Sequence, residues 1–446
     1  AALCSPILPP PLEFKHKFSN CTVDVSQDLI VLIEYIKDRS SFAIAHVYLY
    51  HATTGLPHPL AQSPTFRILD EYIWGSMATD LLVMKSLLVV TFADSDATFN
   101  HCETLIWDWK ACSLLGRIRS ESRDVDVSFL DKNYVFAFSS LSAATEPQEP
   151  SQLALFFYRI PIASATSHPD SPHADFHIPS YPELEPVLIL EFPKLRPSYQ
   201  LQGYVLVSVP LLGNFAYRGS TDFVYSRATT IALQVWVNHV VELETQYRLN
   251  PIDYCIFVNT DCIFGHLESA MRETRIPWSR WGTAATRWFI ERSPLPTSCN
   301  NAFGSLYPIW DLGHHNTDQF LSIFEFNPQI VRRHMHASGY AEKKSERQLS
   351  SSSDRAPGFK APVVSVAGAT ESQTIITEFV GSDIKTIIDR GFEEPVESSL
   401  PYMLVTRVQP MPNHAIWHIQ GDCLVGGPGT GLSFSPAPLS FYRLQV

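Results

Sequence analysis

"ATDLLVMKSLLVVTF" (Ala78–Phe92) and, shortly after it, "ETLIWDWKACSLLGRI" (Glu103–Ile118) decide the reading of the fold. In the first stretch two apolar runs flank Lys85 and Ser86 with little polar alternation. Strands of that kind are expected to be covered on both faces. In the second, alternation places Ile106, Asp108 and Lys110 on one face and Trp107 and Trp109 on the other, ahead of a turn at Lys110, Ala111 and Cys112. That is the pattern of a half-exposed hairpin. An inner hairpin followed by an outer one makes a four-stranded unit.

Both patterns recur along the chain. The inner form returns in Val25–Tyr35, Asp124–Ser140, Ser198–Pro210, Pro251–Gly265 and His414–Gly426; the outer form returns in Phe42–Leu60, and Leu153–Ile162 and Ile231–Val240 read as further second elements. A unit repeated at an irregular spacing of roughly forty to eighty residues predicts an all-β, β-propeller-like fold of about six to seven irregular four-stranded blades. Residues 14–446 read as one such domain with loop insertions. Residues 1–13, with Pro9, Pro10 and Pro11 in a row, read as a stiff extended lead-in. Ser139–Gln152 and Ala163–Pro186 read as connections, and 341–362 as an insertion too polar to order itself. Helical periodicity is scarce, with Glu268–Arg275 and Ile384–Arg390 as the short candidates.

Composition narrows the function. The 446 residues are 45 % hydrophobic and 17 % charged, which supports a large core. The 33 prolines and 12 % aromatics favour short strands and turns over long helices. A formal charge of -12 opposes nucleic acid as the main partner, because neutralising phosphate needs a basic field. The eight cysteines are scattered without a C-x-x-C pair, as free thiols of a cytoplasmic or nuclear protein would be. No window reaches the roughly 18 unbroken apolar residues of a membrane span. The chain opens without Met and without a secretory leader, so the expectation is a fragment whose upstream part is missing.

Candidate chemistry is sparse. His334 and His336 form an H-x-H, and His414 and His418 stand four apart; on strands each pair would share a face. His314 and His315 are adjacent. No further Cys or His at zinc spacing accompanies these pairs, so no metal is expected. Asp94 with Asp96 and Asp124 with Asp126 read as turn and strand-opening acids. "GGPGTG" (Gly426–Gly431) leads into a proline-punctuated strand pattern instead of a helix, so it fails as a phosphate loop. No catalytic residue and no cofactor are expected.

The remaining feature is "IPWSRWGTAATRWF" (Ile276–Phe289), which holds Trp278, Trp281 and Trp288, three of the nine tryptophans. Trp278 and Trp281 would flank a tight turn at Gly282. Arg280 and Arg287 lie beside indoles, where cation–π stacking is worth roughly 0.5–2 kcal/mol. Two readings stand: a structural plug across one end of the domain, or a Trp/Arg surface that binds a partner.

This segment, together with "FEFNP" (Phe324–Pro328), "VESSLPYM" (Val396–Met403) and the Glu103–Ile118 hairpin, resembles the recurring marks of the F-box-type protein family of mushroom-forming fungi. The likeness runs over roughly Phe14–Gly426. It implies an N-terminal F-box that docks on the adaptor of a cullin-type ubiquitin ligase, followed by a propeller-like region that binds a protein substrate. No leucine-proline F-box signature occurs near the start of this chain, so adaptor binding is expected only of a longer product with an upstream F-box. The expected function is non-enzymatic protein recognition. The alternatives are a propeller scaffold unrelated to ubiquitin and a propeller glycoside hydrolase.

Overall fold

The computed structural model describes residues 12, 14, 17–37, 43–70, 77–93, 102–120, 122, 125–141, 152–162, 174–207, 215–218, 221–224, 229–242, 247–269, 273–291, 304–312, 318–337, 375–407, 411–412, 414, 416–420, 423–427 and 440–443. The expected lead-in 1–13, apart from Leu12, and the expected insertion 341–362 lie outside these residues.

The protein is all-β, built of antiparallel sheets that follow one another along the chain. The first sheet is β1 (Asn20–Asp24), β2 (Leu29–Lys37), β3 (Ala43–His51) and β4 (Thr65–Asp70), with β12 (Ala174–His177) parallel on the β4 edge. The second is β5 (Met77–Met84), β6 (Leu87–Ala93), β7 (Cys102–Asp108) and β8 (Ser113–Ser120) in that order, the two hairpins expected from the opening stretches. The third is β9 (Asp126–Phe129), β10 (Tyr134–Leu141), β11 (Gln152–Arg159) and β13 (Leu188–Glu191), extended by β19 (Arg275–Ile276) parallel to β13.

The fourth sheet runs β14 (Tyr199–Leu206), β17 (Thr230–Glu242), β18 (Tyr247–Asn259), β20 (Thr286–Glu291); a separate hairpin, β15 (Phe215–Arg218) with β16 (Thr221–Val224), interrupts it in sequence. The fifth is β21 (Leu306–Leu312), β22 (Asp318–Glu325), β26 (Tyr402–Arg407) and β23 (Ile375–Val380), with β27 (Met411–Pro412) on β22 and a small hairpin of β24 (Thr386–Ile388) and β25 (Val396–Ser398). The sixth is β28 (Ile416–Gln420), β29 (Cys423–Gly427) and β30 (Ser440–Arg443). Three helices complete the described elements: α1 (Thr260–Ser269), α2 (Trp278–Ala285) and α3 (Pro328–Ala337).

Each sheet packs on the next, and the apolar residues of consecutive strands explain why. Along β6 every residue from Leu87 to Phe92 is buried; Leu88 and Val90 face the first sheet, while Leu87 and Val89 face the third. With side chains alternating across a strand, only a sheet covered on both sides removes all of these from water. Five apolar cores result, one between each successive pair of sheets. The first strands of the first four sheets also meet in chain order, β1 on β5, β5 on β9 and β9 on β14. The described residues do not close into a ring.

Several expectations are corrected. Ala163–Pro186 is not simply a connection: its described part forms β12 on the first sheet, hydrogen-bonds through Leu184 N to Arg117 O of β8 at 2.8 Å, and then enters the third sheet as β13. This strap runs over the edges of three sheets. The described part of Ser198–Pro210, residues 198–207, contains one strand, β14, where two were expected. Pro251–Gly265 is a strand followed by α1, because the Asn259 side chain accepts from Asp261 N at 3.0 Å and turns the chain into a helix. Of the two helix candidates, Glu268–Arg275 retains only the last residues of α1 before Arg275 opens β19, and Ile384–Arg390 contains β24.

Candidate functional site

The tryptophan segment joins the third and fourth sheets. Its first part, β19, pairs with β13 and is pinned there by Arg275, whose Nη2 lies 2.6 Å from Glu191 Oε1. Its last part, β20, pairs with β18 as the edge of the fourth sheet. Between them stands α2, so the expected tight turn at Gly282 is a helical one, with Trp278 and Trp281 three residues apart on neighbouring positions of its surface. Thr286 ends the helix by donating its hydroxyl to Gly282 O at 2.7 Å.

The indoles fill the space between the two sheets. Trp281 and Trp288 are buried and Trp278 half-buried, all against Phe192 of the third sheet at centroid distances of 5.4, 6.1 and 5.8 Å. Trp278 meets Trp281 edge-on at 5.2 Å and Trp288 edge-on at 5.6 Å, and Trp288 continues to Tyr254 and Phe392. Edge-to-face pairs suit the ring quadrupoles and add to the area each ring buries. Trp281 Nε1 donates to Glu191 O at 3.0 Å, whereas the buried Trp288 Nε1 meets no acceptor among the described residues. Gly282 is required by this packing: a Cβ there would stand 2.2 Å from the Trp278 ring.

On β20 the side chains alternate, so Arg287 faces away from Trp288 and toward the fifth sheet. Arg287 is 1 % exposed, and its guanidinium donates to Leu400 O at 2.7 Å, Ile384 O at 2.9 Å and Thr386 Oγ1 at 3.1 Å. It lies over Tyr402 at 5.4 Å, not over an indole as expected. Burial pulls its pKa down to about 10, opposed by Tyr402, so it is a cation at neutral pH. Burial likewise holds the Tyr254 and Tyr402 phenols above their ordinary range. Arg280, by contrast, is exposed and pairs with Glu273.

Segments far apart in sequence converge here. Ser399 N donates to Thr283 O at 2.7 Å and Leu400 N to Thr286 O at 2.9 Å, so "VESSLPYM" lies along the end of α2. Phe324 and Phe326 of "FEFNP" pack on Phe289 and Tyr402, with Phe326 stacked on Phe257 at 3.8 Å. Asn327 then caps α3, accepting from Gln329 N at 2.9 Å ahead of Pro328 at the first helical position. That cap signals a helix where a strand would have put His334 and His336 on one face.

The other candidates do not assemble. His334 and His336 sit on α3, where two residues apart point in different directions. His414 is buried, with Nε2 2.8 Å from Ser440 Oγ and its ring edge-on to Trp417. Asp126 accepts from Leu206 N at 2.6 Å and so ties the third sheet to the fourth. His314, His315, Asp94, Asp96, Asp124 and most of Gly426–Gly431 lie outside the described residues, as does the His418 side chain. Among the described residues no group of three or more His, Cys, Asp or Glu could hold a metal ion. Cys102, Cys112 and Cys255 are buried thiols outside any disulfide, and burial pushes the Cys112 thiol up to about 11. No described helix is long and apolar enough to cross a membrane.

The class defined so far is an all-β protein of successive antiparallel sheets strapped together by aromatic segments. No family model and no curated protein matches the sequence. Among solved structures, the crystal structure of an ACO/RPE65 chimera aligns at 9 % identity and a TM-score of 0.25, over 68 % of this chain and 53 % of that one. The alignment spans about half the length of that chain.

Proposed function

We propose that the chain is a non-enzymatic protein-recognition module with a β-propeller-like arrangement, the substrate-binding part of an F-box-type ubiquitin-ligase receptor, cytoplasmic or nuclear. The observation that carries this reading is the convergence of "IPWSRWGTAATRWF", "FEFNP" and "VESSLPYM" on one brace across the third, fourth and fifth sheets. Motifs that share the resemblance thus share a structural role, since together they hold successive sheets in fixed relation. The six sheets packed in chain order, the first four of them through their first strands, support the propeller-like arrangement. A rigid frame of this kind presents loops and turns as a docking surface.

Co-precipitation tests the proposal. A longer gene product carrying an F-box is expected to recover the cullin-ligase adaptor, while the present chain recovers a protein substrate but no adaptor. Recovery of neither by the longer product would remove the ubiquitin assignment.

A further inference from the structure

In each of the first four sheets a later piece of the chain lies along the outer edge. The parallel strand β12 covers β4, and Leu184 N bonds to Arg117 O beside β8 at 2.8 Å. β19 runs along β13, and Leu400 N reaches Thr286 O of β20 at 2.9 Å. The sixth sheet ends on β30, a strand of four residues. The fifth sheet differs. Its outer strand β23 pairs with β26 on one side, and among the described residues no strand pairs with its other side.

The side chains of β23 agree with an open edge. Ile375 is 56 % exposed, and Thr377 and Glu378 are exposed as well. Outer strands avoid recruiting another strand by being short, by bulging, or by carrying proline and repeated charge. β23 has six residues, meets β26 without a bulge, contains no proline and carries one charge, Glu378.

The order "IITEFV" (Ile375–Val380) also fits a copy of itself. Facing residues of an antiparallel pair lie on one side of the sheet. Two copies related by a twofold axis normal to the sheet must therefore set one residue opposite itself. Centring on Ile376 or Phe379 leaves only three residues of each strand in the pairing, while Thr377 or Glu378 keeps five. Glu378 at the centre opposes two carboxylates, which is unfavourable. Thr377 at the centre sets Thr on Thr and Ile375 on the partner's Phe379, both favourable cross-strand pairs, and moves the two Glu378 side chains apart.

We propose that β23 pairs antiparallel with β23 of a second copy of this chain, centred on Thr377, so that the fifth sheet continues across a twofold axis. This self-association goes beyond the recognition reading and does not depend on it.

The test is sedimentation velocity of the full chain. An edge of six residues is small beside a standard interface, so a dimer with a dissociation constant on the order of 10 μM is expected, observable between about 1 and 100 μM. Thr377→Lys and Thr377→Glu each set like charges face to face on the axis. Each alone is expected to weaken the dimer about tenfold or more at unchanged melting temperature, and an equal mixture of the two should restore it, because Lys then opposes Glu. Val25→Asp, at an exposed position on the first sheet, should leave the dimer unchanged. A chain that stays monomeric over that range overturns the proposal and gives the edge to residues 338–374 or to a strand of another protein. A dimer indifferent to both variants overturns it too, as does a mixture no more dimeric than its components. If either variant melts early, Ile375→Lys, which sets a lysine beside the partner's Phe379, replaces it; undiminished dimerisation of that variant overturns the proposal.

Discussion

In the second sheet β5, β6, β7 and β8 follow one another along the chain and pair in that order; in the fourth, a hairpin separates β14 from β17, and α1, β19 and α2 come between β18 and β20. Both sheets have four strands and apolar residues on both faces. The second assembles from strands that are consecutive in the chain, whereas the fourth receives its last strand only after the chain has visited the third sheet. Local pairing spreads stability over many equivalent contacts. Non-local pairing must first close a long loop, and here the segment that makes the crossing holds both sheets at once. Three of the nine tryptophans lie where the crossing is made.

The largest test of that contrast is Trp288→Ala. Truncating a buried indole of the crossing segment is expected to cost about 3–5 kcal/mol in urea denaturation; a loss near that of an ordinary surface change would break the contrast. Gly282→Ala comes next. Its new methyl would displace the Trp278 ring, at a cost of about 1–3 kcal/mol, and the near-ultraviolet circular dichroism of the tryptophans should change with it. In the second sheet, Trp109→Phe keeps an aromatic ring but loses the bond to Lys85 O and part of a buried indole's volume, so about 1–2 kcal/mol is expected. A loss as great as that of Trp288→Ala would show that turns of the consecutive sheet concentrate stability too.

The smallest effect is a pH slope in the sixth sheet, which like the second is consecutive. Burial holds His414 below its ordinary pKa of 6.5, so on acidification the unfolded chain takes up a proton that the folded chain resists. Melting temperature should therefore fall as pH drops below 6.5. His414→Gln should flatten the slope, leaving the part from His266, whose pKa burial also lowers. An unchanged slope would remove His414 from the account.

What could be read in the sequence follows the same division. The hairpins of Ala78–Phe92, Glu103–Ile118, Asp124–Ser140 and His414–Gly426 were legible because partner strands are neighbours and each turn shows as a polar break. β12 and β19 were not, since each is short and pairs with a strand far away in sequence; nothing local in Ala174–His177 or Arg275–Ile276 names its partner. α1 and α3 were missed where Asn259 and Asn327 act as caps, a signal confined to one residue. At the candidate site the concentration of Trp and Arg was plain. That Arg287 would serve carbonyls of residues 384 and 400, and not an indole, depends on a long-range approach invisible in local pattern.

The parallel return of β12 onto β4 has a consequence during synthesis. β4 ends at Asp70, and its covering strand begins at Ala174. A ribosome adding ~5–20 residues per second leaves that border of the nascent chain unpaired for about 5–20 seconds. Through that interval the emerging polypeptide carries an open hydrogen-bonding rim able to recruit another strand, so misassembly in cells should centre on Thr65–Asp70.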